Sequence, residues 1–139
     1  MKRKINAIWK GDGIDGHGFL SSQSGVFDNM PYSFKTRFKN DDGKLGTNPE
    51  ELIAASIAGC FNMKLSFVLN EANFSPKELN TEAILSFIDG EVISVDLNLQ
   101  AQVAGISQEQ FNELAEEAKK TCPISGVLKC QINLNSHLV

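Results

Sequence analysis

Residues 48–70 read NPEELIAASIAGCFNMKLSFVLN, and they predict the element around which the rest of the chain is arranged. Asn48 is a favourable helix N-cap, and Pro49 suits the first helical position. Glu50 and Glu51 then place negative charge where the helix dipole favours it. Beyond them the segment is apolar or small on nearly all sides. A helix of this kind must be buried, and we expect protein to enclose it.

The segment before this helix predicts a small sheet. Alternating polar and apolar residues indicate three strands, at residues 4–10, 18–24 and 32–38, with a glycine-rich turn at residues 11–18. In the third strand Arg37 shares one face with Ser33 and Lys35, and the aromatic residues lie on the other face. Arg37 is therefore expected on a strand.

The segment after the helix predicts further strands. The dipeptide Asp89-Gly90 is a strong hairpin signal between strands at residues 81–88 and 91–103. Residues 130–139 alternate in the same way and predict a final strand.

A second helix is expected between these strands. Ser107 with Gln110 three residues later is typical of a helix start, and Pro123 predicts that the helix ends close to Cys122. At 139 residues the chain has the length of a single domain, residues 1–139, and its order of elements predicts an α+β fold.

Charge and hydropathy limit the partners. The net charge is -4, and the only tight basic cluster is residues 2–4, so a nucleic-acid partner is not expected. No apolar stretch is expected to approach the roughly 20 residues that span a bilayer, and the N-terminus lacks the apolar core of a secretory signal. We therefore expect no membrane association and a cytoplasmic location.

The three cysteines are Cys60, Cys122 and Cys130. Their odd number and wide spacing indicate neither a secreted disulfide framework nor a zinc site. The two histidines, His17 and His137, do not stand at helical spacing from a cysteine. No metal is expected.

Taken singly, each cysteine is best interpreted as a small packing residue. Cys60 is too far from the start of its helix for the helix dipole to hold a thiolate. As a pair, Cys60 and Cys122 admit another interpretation, in which peroxide oxidises one cysteine to a sulfenic acid and the second condenses with it. The residues alone leave both interpretations open.

Four strings together resemble the OsmC/Ohr family, which comprises osmotically inducible protein C and the organic hydroperoxide resistance proteins, and they favour the OsmC subgroup. They are YSFKTRF at residues 32–38, GTNPEELIAA at 46–55, AGCF at 58–61 and CPIS at 122–125. The likeness covers nearly the whole chain. It implies antiparallel sheets wrapped around a long buried central helix, in an intertwined homodimer with two sites at the interface.

The resemblance also implies a thiol-dependent peroxidase. Cys60 would attack organic hydroperoxides, and hydrogen peroxide as a second substrate, Cys122 would close a disulfide with it, and Arg37 and Glu50 would complete the site. No cofactor is implied, but an external dithiol reductant, a thiol or a lipoyl protein, must reopen the disulfide. Arg37 would hold the thiolate, and Glu50 would orient Arg37 through a bidentate bond.

Helix geometry adds a constraint to these roles. Glu50 and Cys60 lie about 15 Å apart along the axis of one helix and point about 80° away from each other. If both serve one site, Glu50 must come from a second subunit.

Two other classes of function remain: a dimeric small-ligand-binding domain with inert cysteines, and a peroxide sensor that signals through a partner. Ile57, Phe61 and Met63 are candidates for a substrate mouth, although core positions suit them better. Ile57 stands where family members often carry His or Tyr. Cys130 is an extra thiol that we expect to pack in a strand.

Overall fold

The computed structural model describes residues 1–139 and divides them into two compact units, Met1–Leu52 and Ile53–Val139. The first unit holds a three-stranded sheet. The second holds another three-stranded sheet with the helices that cover it. The α+β class is therefore confirmed, and a single domain over residues 1–139 stays a prediction.

The sheet of the first unit is antiparallel, in the order β1-β2-β3. Its strands are Ile5–Lys10, His17–Ser22 and Met30–Ser33. Gly18 is needed in β2 because a side chain there would collide with the ring of Tyr32 and the carbonyl of Ile8. This close approach lets Tyr32 lie across the sheet, where its hydroxyl donates to Ile8 O at 3.3 Å.

The third predicted strand is wrong beyond Ser33. Residues Phe34–Phe38 form a short helix, α1, because Ser33 and Thr36 cap it reciprocally. Thr36 N donates to Ser33 Oγ at 3.2 Å, and Ser33 N donates to Thr36 Oγ1 at 2.9 Å. Arg37 therefore lies on a helix and not on a strand face.

The long helix α2 covers Pro49–Glu71. It begins as predicted, since Asn48 Oδ1 accepts a hydrogen bond from Glu51 N at 2.8 Å. One side is fully buried, through Ile57, Phe61, Leu65, Val68 and Leu69. The opposite side is not, because Met63 is 64% exposed and Phe67 is 57% exposed. The expectation of a helix enclosed by protein holds for one side within a single chain.

The length and composition of α2 also correct an expectation. With 23 residues it is long and apolar enough to cross a membrane by those two measures, contrary to the prediction that no such stretch exists. The core helix of a soluble protein meets the same criterion.

Within the helix, Asn62 Nδ2 donates to Leu79 O at 3.2 Å, and Thr81 Oγ1 donates to Asn62 Oδ1 at 2.5 Å.

The second unit contains the strands β4 (Pro76–Ile88), β5 (Glu91–Val103) and β6 (Gln131–Leu138). Strands β4 and β5 form the predicted hairpin, with Asp89 and Gly90 both at positive φ, 51° and 84°. Strand β6 pairs with β5 in parallel. The expectation of purely antiparallel sheets is therefore wrong here, because the chain returns to β5 through helices, and such a crossover gives parallel strands.

Two helices form this crossover: α3 (Gln108–Thr121) and α4 (Pro123–Val127). Ser107 caps α3 as predicted, since its Oγ accepts from Gln110 N at 3.2 Å. One core joins the buried side of α2, the inner face of β5 and the inner face of α3. The members from β5 and α3 are Val95, Leu97, Leu99, Ala101, Phe111, Ala115 and Ala118. This core fixes α2 and the end of α3 relative to each other.

Candidate active site

Cys60 and Cys122 meet at the edge of this core. Their Sγ atoms lie 3.1 Å apart, although the residues are separated by 62 positions, and both thiols are free. Cys60 belongs to α2, next to the buried Phe61. Cys122 directly follows α3, in the extended conformation that Pro123 imposes on its predecessor. A disulfide S–S bond is about 2.05 Å long, so a shift of about 1 Å would join the sulfurs.

The two thiols differ in exposure. Cys122 is 1% exposed, whereas Cys60 is partly exposed. A molecule that enters from solvent therefore reaches Cys60 before Cys122.

The surroundings shift the pKa values of the two thiols in opposite directions. Burial raises the pKa of Cys60, and its hydrogen bond with Cys122 raises it further, against a smaller opposing effect of the Ile124 backbone. Burial alone would also raise the pKa of Cys122. The Ser125 backbone, the Cys60 thiol, the Ser125 hydroxyl and the Ile124 backbone can each donate a hydrogen bond to the Cys122 thiolate, and together they bring the pKa of Cys122 below its ordinary value. Within one chain, the negative charge therefore favours the sulfur of Cys122.

Arg37 and Glu50 form a second pair, within the first unit. Arg37 Nη2 donates to Glu50 Oε1 at 2.6 Å, and Arg37 Nε lies 3.1 Å and 3.2 Å from the two carboxylate oxygens. The side chain of Arg37 is 36% exposed and that of Glu50 is 12% exposed. Two parallel donors on one carboxylate fix the plane of the guanidinium.

Hydrogen bonds within the loop between α1 and α2 fix the position of Arg37 relative to Glu50. Asn40 Nδ2 donates to Thr36 O at 3.0 Å and to Gly46 O at 3.2 Å, and Asn40 Oδ1 accepts from Leu45 N at 3.0 Å. One amide side chain thus ties the helix that carries Arg37 to the segment that leads into Glu50.

An apolar cavity of about 370 Å³ adjoins the guanidinium. Most of its lining is aromatic or apolar, and Arg37 supplies the charge. The rings of the lining come from Trp9, Tyr32, Phe34 and Phe38. The rings of Trp9 and Tyr32 lie 5.5 Å apart, and the rings of Phe34 and Phe38 lie 4.8 Å apart. The cavity suits an apolar group bound beside a cation.

The side chains of the protein offer no metal centre, since no group of three or more His, Cys, Asp or Glu residues could hold an ion. The chemistry that these residues can support is that of two adjacent thiols and an oriented guanidinium.

The sequence profile of the OsmC-like protein family matches residues 40–137. Peroxiredoxin OsmC of Escherichia coli strain K12 is 42% identical over 142 aligned residues, which cover 99% of this chain and 97% of that protein. The chain belongs to the OsmC family. Organic hydroperoxide resistance protein OhrB of Bacillus subtilis strain 168 is 28% identical, over 87% of this chain and 88% of that protein.

Solved structures of the OsmC and Ohr proteins share the fold. The crystal structure of Bacillus subtilis OhrB superposes with a TM-score of 0.68 at 26% identity, covering 100% of this chain and 98% of that one. An OsmC-like protein of unknown function from Vibrio cholerae superposes with a TM-score of 0.76 at 13% identity, covering 99% of both chains. The predicted OsmC/Ohr-like fold is confirmed.

Within this OsmC-family chain, the predicted site residues form two pairs. Cys60 contacts Cys122 in the second unit, and Arg37 binds Glu50 in the first. Glu50 and Cys60 stand ten positions apart on the continuous helix α2. That all four residues form one site, in the roles implied by the family, stays a prediction.

The structure also places Ile57, Phe61 and Cys130. Ile57 and Phe61 are completely buried in the core, so neither lines a substrate mouth. Cys130 packs against the same core, as expected, but just before β6.

Sequence reasoning missed the aromatic cavity and Ser125. The glycines opposite the rings were a signal for the cavity, since a side chain at Gly16 would collide with Trp9 just as one at Gly18 would with Tyr32. Ser125 was visible in the CPIS string, but only the fold shows that its hydroxyl is buried near Cys122.

Proposed function

We propose that this protein is a thiol-dependent peroxidase that reduces organic hydroperoxides, with Cys60 as the attacking thiol and Cys122 as its disulfide partner. The contact of 3.1 Å between the two sulfurs carries the proposal, because a sulfenic acid on either one lies within reach of the other. The names of two relatives support it: Peroxiredoxin OsmC and organic hydroperoxide resistance protein OhrB.

Exposure and pKa point to different sulfurs as the nucleophile. The lowered pKa favours Cys122, but that thiol is 1% exposed and out of reach of a peroxide. We assign the attack to Cys60 on the ground of access. Its pKa is raised within one chain, so a cation from outside the chain must lower it for the thiolate to form.

We propose that Arg37 of the partner subunit is this cation. The guanidinium is always charged, and the bidentate bond with Glu50 of its own subunit orients it. The helix geometry keeps Glu50 about 15 Å along the axis from Cys60 of the same chain, so each Arg37–Glu50 pair would serve the other subunit. Met63 and Phe67 on the exposed side of α2 supply an apolar surface for such a homodimer.

The chemical steps then balance. The Cys60 thiolate attacks the terminal oxygen of the hydroperoxide, the O–O bond breaks, and the departing alkoxide takes a proton and leaves as an alcohol. Cys60 is now a sulfenic acid. The sulfur of Cys122 attacks it, water leaves, and a disulfide forms. A dithiol from outside the protein returns both cysteines to thiols, and no prosthetic group is required.

The aromatic cavity beside Arg37 would hold the organic group of the substrate. Its volume of about 370 Å³ and its apolar rings suit an aryl or alkyl hydroperoxide better than hydrogen peroxide. We further propose that residues 1–139 act as one domain in the cytoplasm.

Titration of the purified protein with cumene hydroperoxide tests the proposal. Consumption of the peroxide should require Cys60 and stop in Cys60→Ser, and Cys122→Ser should accumulate a sulfenic acid that dimedone traps on Cys60. Thiols that remain unchanged after exposure would indicate a ligand-binding domain. Oxidation of Cys60 without turnover in the presence of a dithiol would indicate a sensor.

A further inference from the structure

The proposed cycle leaves open which of the two sulfurs the reductant attacks, and their exposure differs sharply. Cys122 is 1% exposed, whereas Cys60 is partly exposed. A thiolate entering from solvent therefore meets the Cys60 side of the bond first, and access decides where exchange begins.

On the Cys122 side of the bond lies the hydroxyl of Ser125. Ser125 Oγ is buried and has no hydrogen-bond partner, which is a costly state for a hydroxyl. Although burial raises the pKa of Cys122, the Ser125 side chain is among the groups that bring it below its ordinary value. A hydroxyl that lies unpaired beside a neutral thiol can donate to the same sulfur when it carries negative charge.

We propose that the external thiol opens the disulfide by attacking Cys60, and that Cys122 leaves as a thiolate stabilised by the Ser125 hydroxyl. This inference rests on the proposed peroxidase function and specifies its recycling half-reaction. Attack on the more exposed sulfur, Cys60, makes Cys122 the leaving group.

The exchange balances in bonds and electrons. The attacking thiolate forms an S–S bond with Cys60, the bond between Cys60 and Cys122 breaks, and its electron pair goes to the sulfur of Cys122. The second thiol of the reductant then attacks the reductant's first sulfur, which is bonded to Cys60, and releases Cys60 as a thiolate. The reductant leaves as a disulfide, and each cysteine takes up a proton.

Mapping of the mixed disulfide tests the direction of attack. The disulfide is formed in the full-length protein with diamide, so its preparation does not depend on peroxide reduction. It is then treated briefly with glutathione and quenched with N-ethylmaleimide. Peptide mapping should find glutathione on Cys60 and N-ethylmaleimide on Cys122.

The reverse labelling pattern would overturn the inference and leave the peroxidase proposal intact. Failure of cumene hydroperoxide to produce the disulfide that diamide produces would instead overturn the peroxidase proposal. Failure of diamide to join the two sulfurs would overturn both.

The contribution of the hydroxyl is tested with Ser125→Ala and Ser125→Thr. Removal of the hydroxyl should slow the attack of glutathione about tenfold, because a hydrogen bond to a charged sulfur is lost from the leaving group. Ser125→Thr keeps the hydroxyl and should restore most of the rate. In a Cys60→Ser background, Ser125→Ala should also raise the pH at which the Cys122 thiol ionises, a change that a general packing defect would not produce. Equal exchange rates in the wild type and Ser125→Ala would overturn this role.

Discussion

Arg37 and Glu50 are joined by a bidentate ion pair in which Arg37 Nη2 lies 2.6 Å from Glu50 Oε1. A single contact would leave the guanidinium free to rotate, whereas two parallel donors on one carboxylate fix its plane. If the guanidinium stabilises the Cys60 thiolate, its orientation matters as much as its charge, and Glu50 becomes a positioning residue.

Glu50→Gln should therefore lower kcat/KM for cumene hydroperoxide, because a neutral amide holds the guanidinium less firmly than a carboxylate. Arg37→Ala should lower it by about a hundredfold, the usual effect of removing a group that stabilises developing charge. Glu51→Gln is the matched control. It removes the same charge from the first turn of α2, but Glu51 bonds Thr47 and not Arg37. Equal losses in Glu50→Gln and Glu51→Gln would show that the helix dipole, and not the orientation of Arg37, is responsible.

Mixed dimers test whether the cation comes from the partner. Alone, Cys60→Ser should be inactive and Arg37→Ala should keep only about a hundredth of the activity. A co-expressed mixture contains dimers that combine an intact Cys60 with an intact Arg37. With random pairing, half of the dimers are mixed and each has one complete site, so activity should recover to about a quarter of wild type. Native mass spectrometry verifies that mixed dimers form. No recovery in their presence would place Arg37 and Cys60 of one site in the same chain.

The exposed side of α2 should be required for assembly. Phe67→Glu puts a charge on the apolar surface and should shift sedimentation toward the monomer, with a parallel loss of peroxidase activity. Gln110→Glu adds the same charge at an exposed position of α3 and is the control. A fully active monomeric Phe67→Glu protein would contradict the dimeric site.

The long helix and the hairpin could be predicted from sequence because their signals are local. The cap at Asn48 and the turn at Asp89-Gly90 are set by neighbouring residues. The prediction of a strand at residues 34–38 was wrong because the local pattern was misleading. The alternating aromatic residues fit a strand, and the capping box that makes the segment helical has Thr36 at the position where Glu or Gln is usual. The parallel pairing of β6 depends on a distant partner, which no local pattern reveals.

Some residues of the candidate site could likewise be predicted from the sequence, and others could not. Cys60, Cys122, Arg37 and Glu50 were found through the family motifs, and spacing alone would not have paired the two sulfurs. The buried hydroxyl of Ser125 and the closeness of the rings around Arg37 depend on tertiary packing.

Ionisation of Cys60 should respond to its neighbour. Burial raises the pKa of Cys60, and the contact with Cys122 raises it further, so removal of that thiol should lower it. A lower pKa means more thiolate at neutral pH. Peptide-resolved alkylation with iodoacetamide should therefore modify Cys60 faster at pH 7 in Cys122→Ser than in the wild type, with its midpoint at lower pH. Cys130→Ser, which leaves the sulfur pair intact, should not shift the midpoint. A higher midpoint in Cys122→Ser would mean that Cys122 stabilises the Cys60 thiolate.

The intact mass of the protein after one equivalent of cumene hydroperoxide probes the sulfur pair itself. We predict a loss of two hydrogens, restored by a dithiol, with a single new cross-link between the peptides of Cys60 and Cys122. An unchanged mass, or a cross-link that joins Cys130 to either cysteine, would contradict the proposed chemistry.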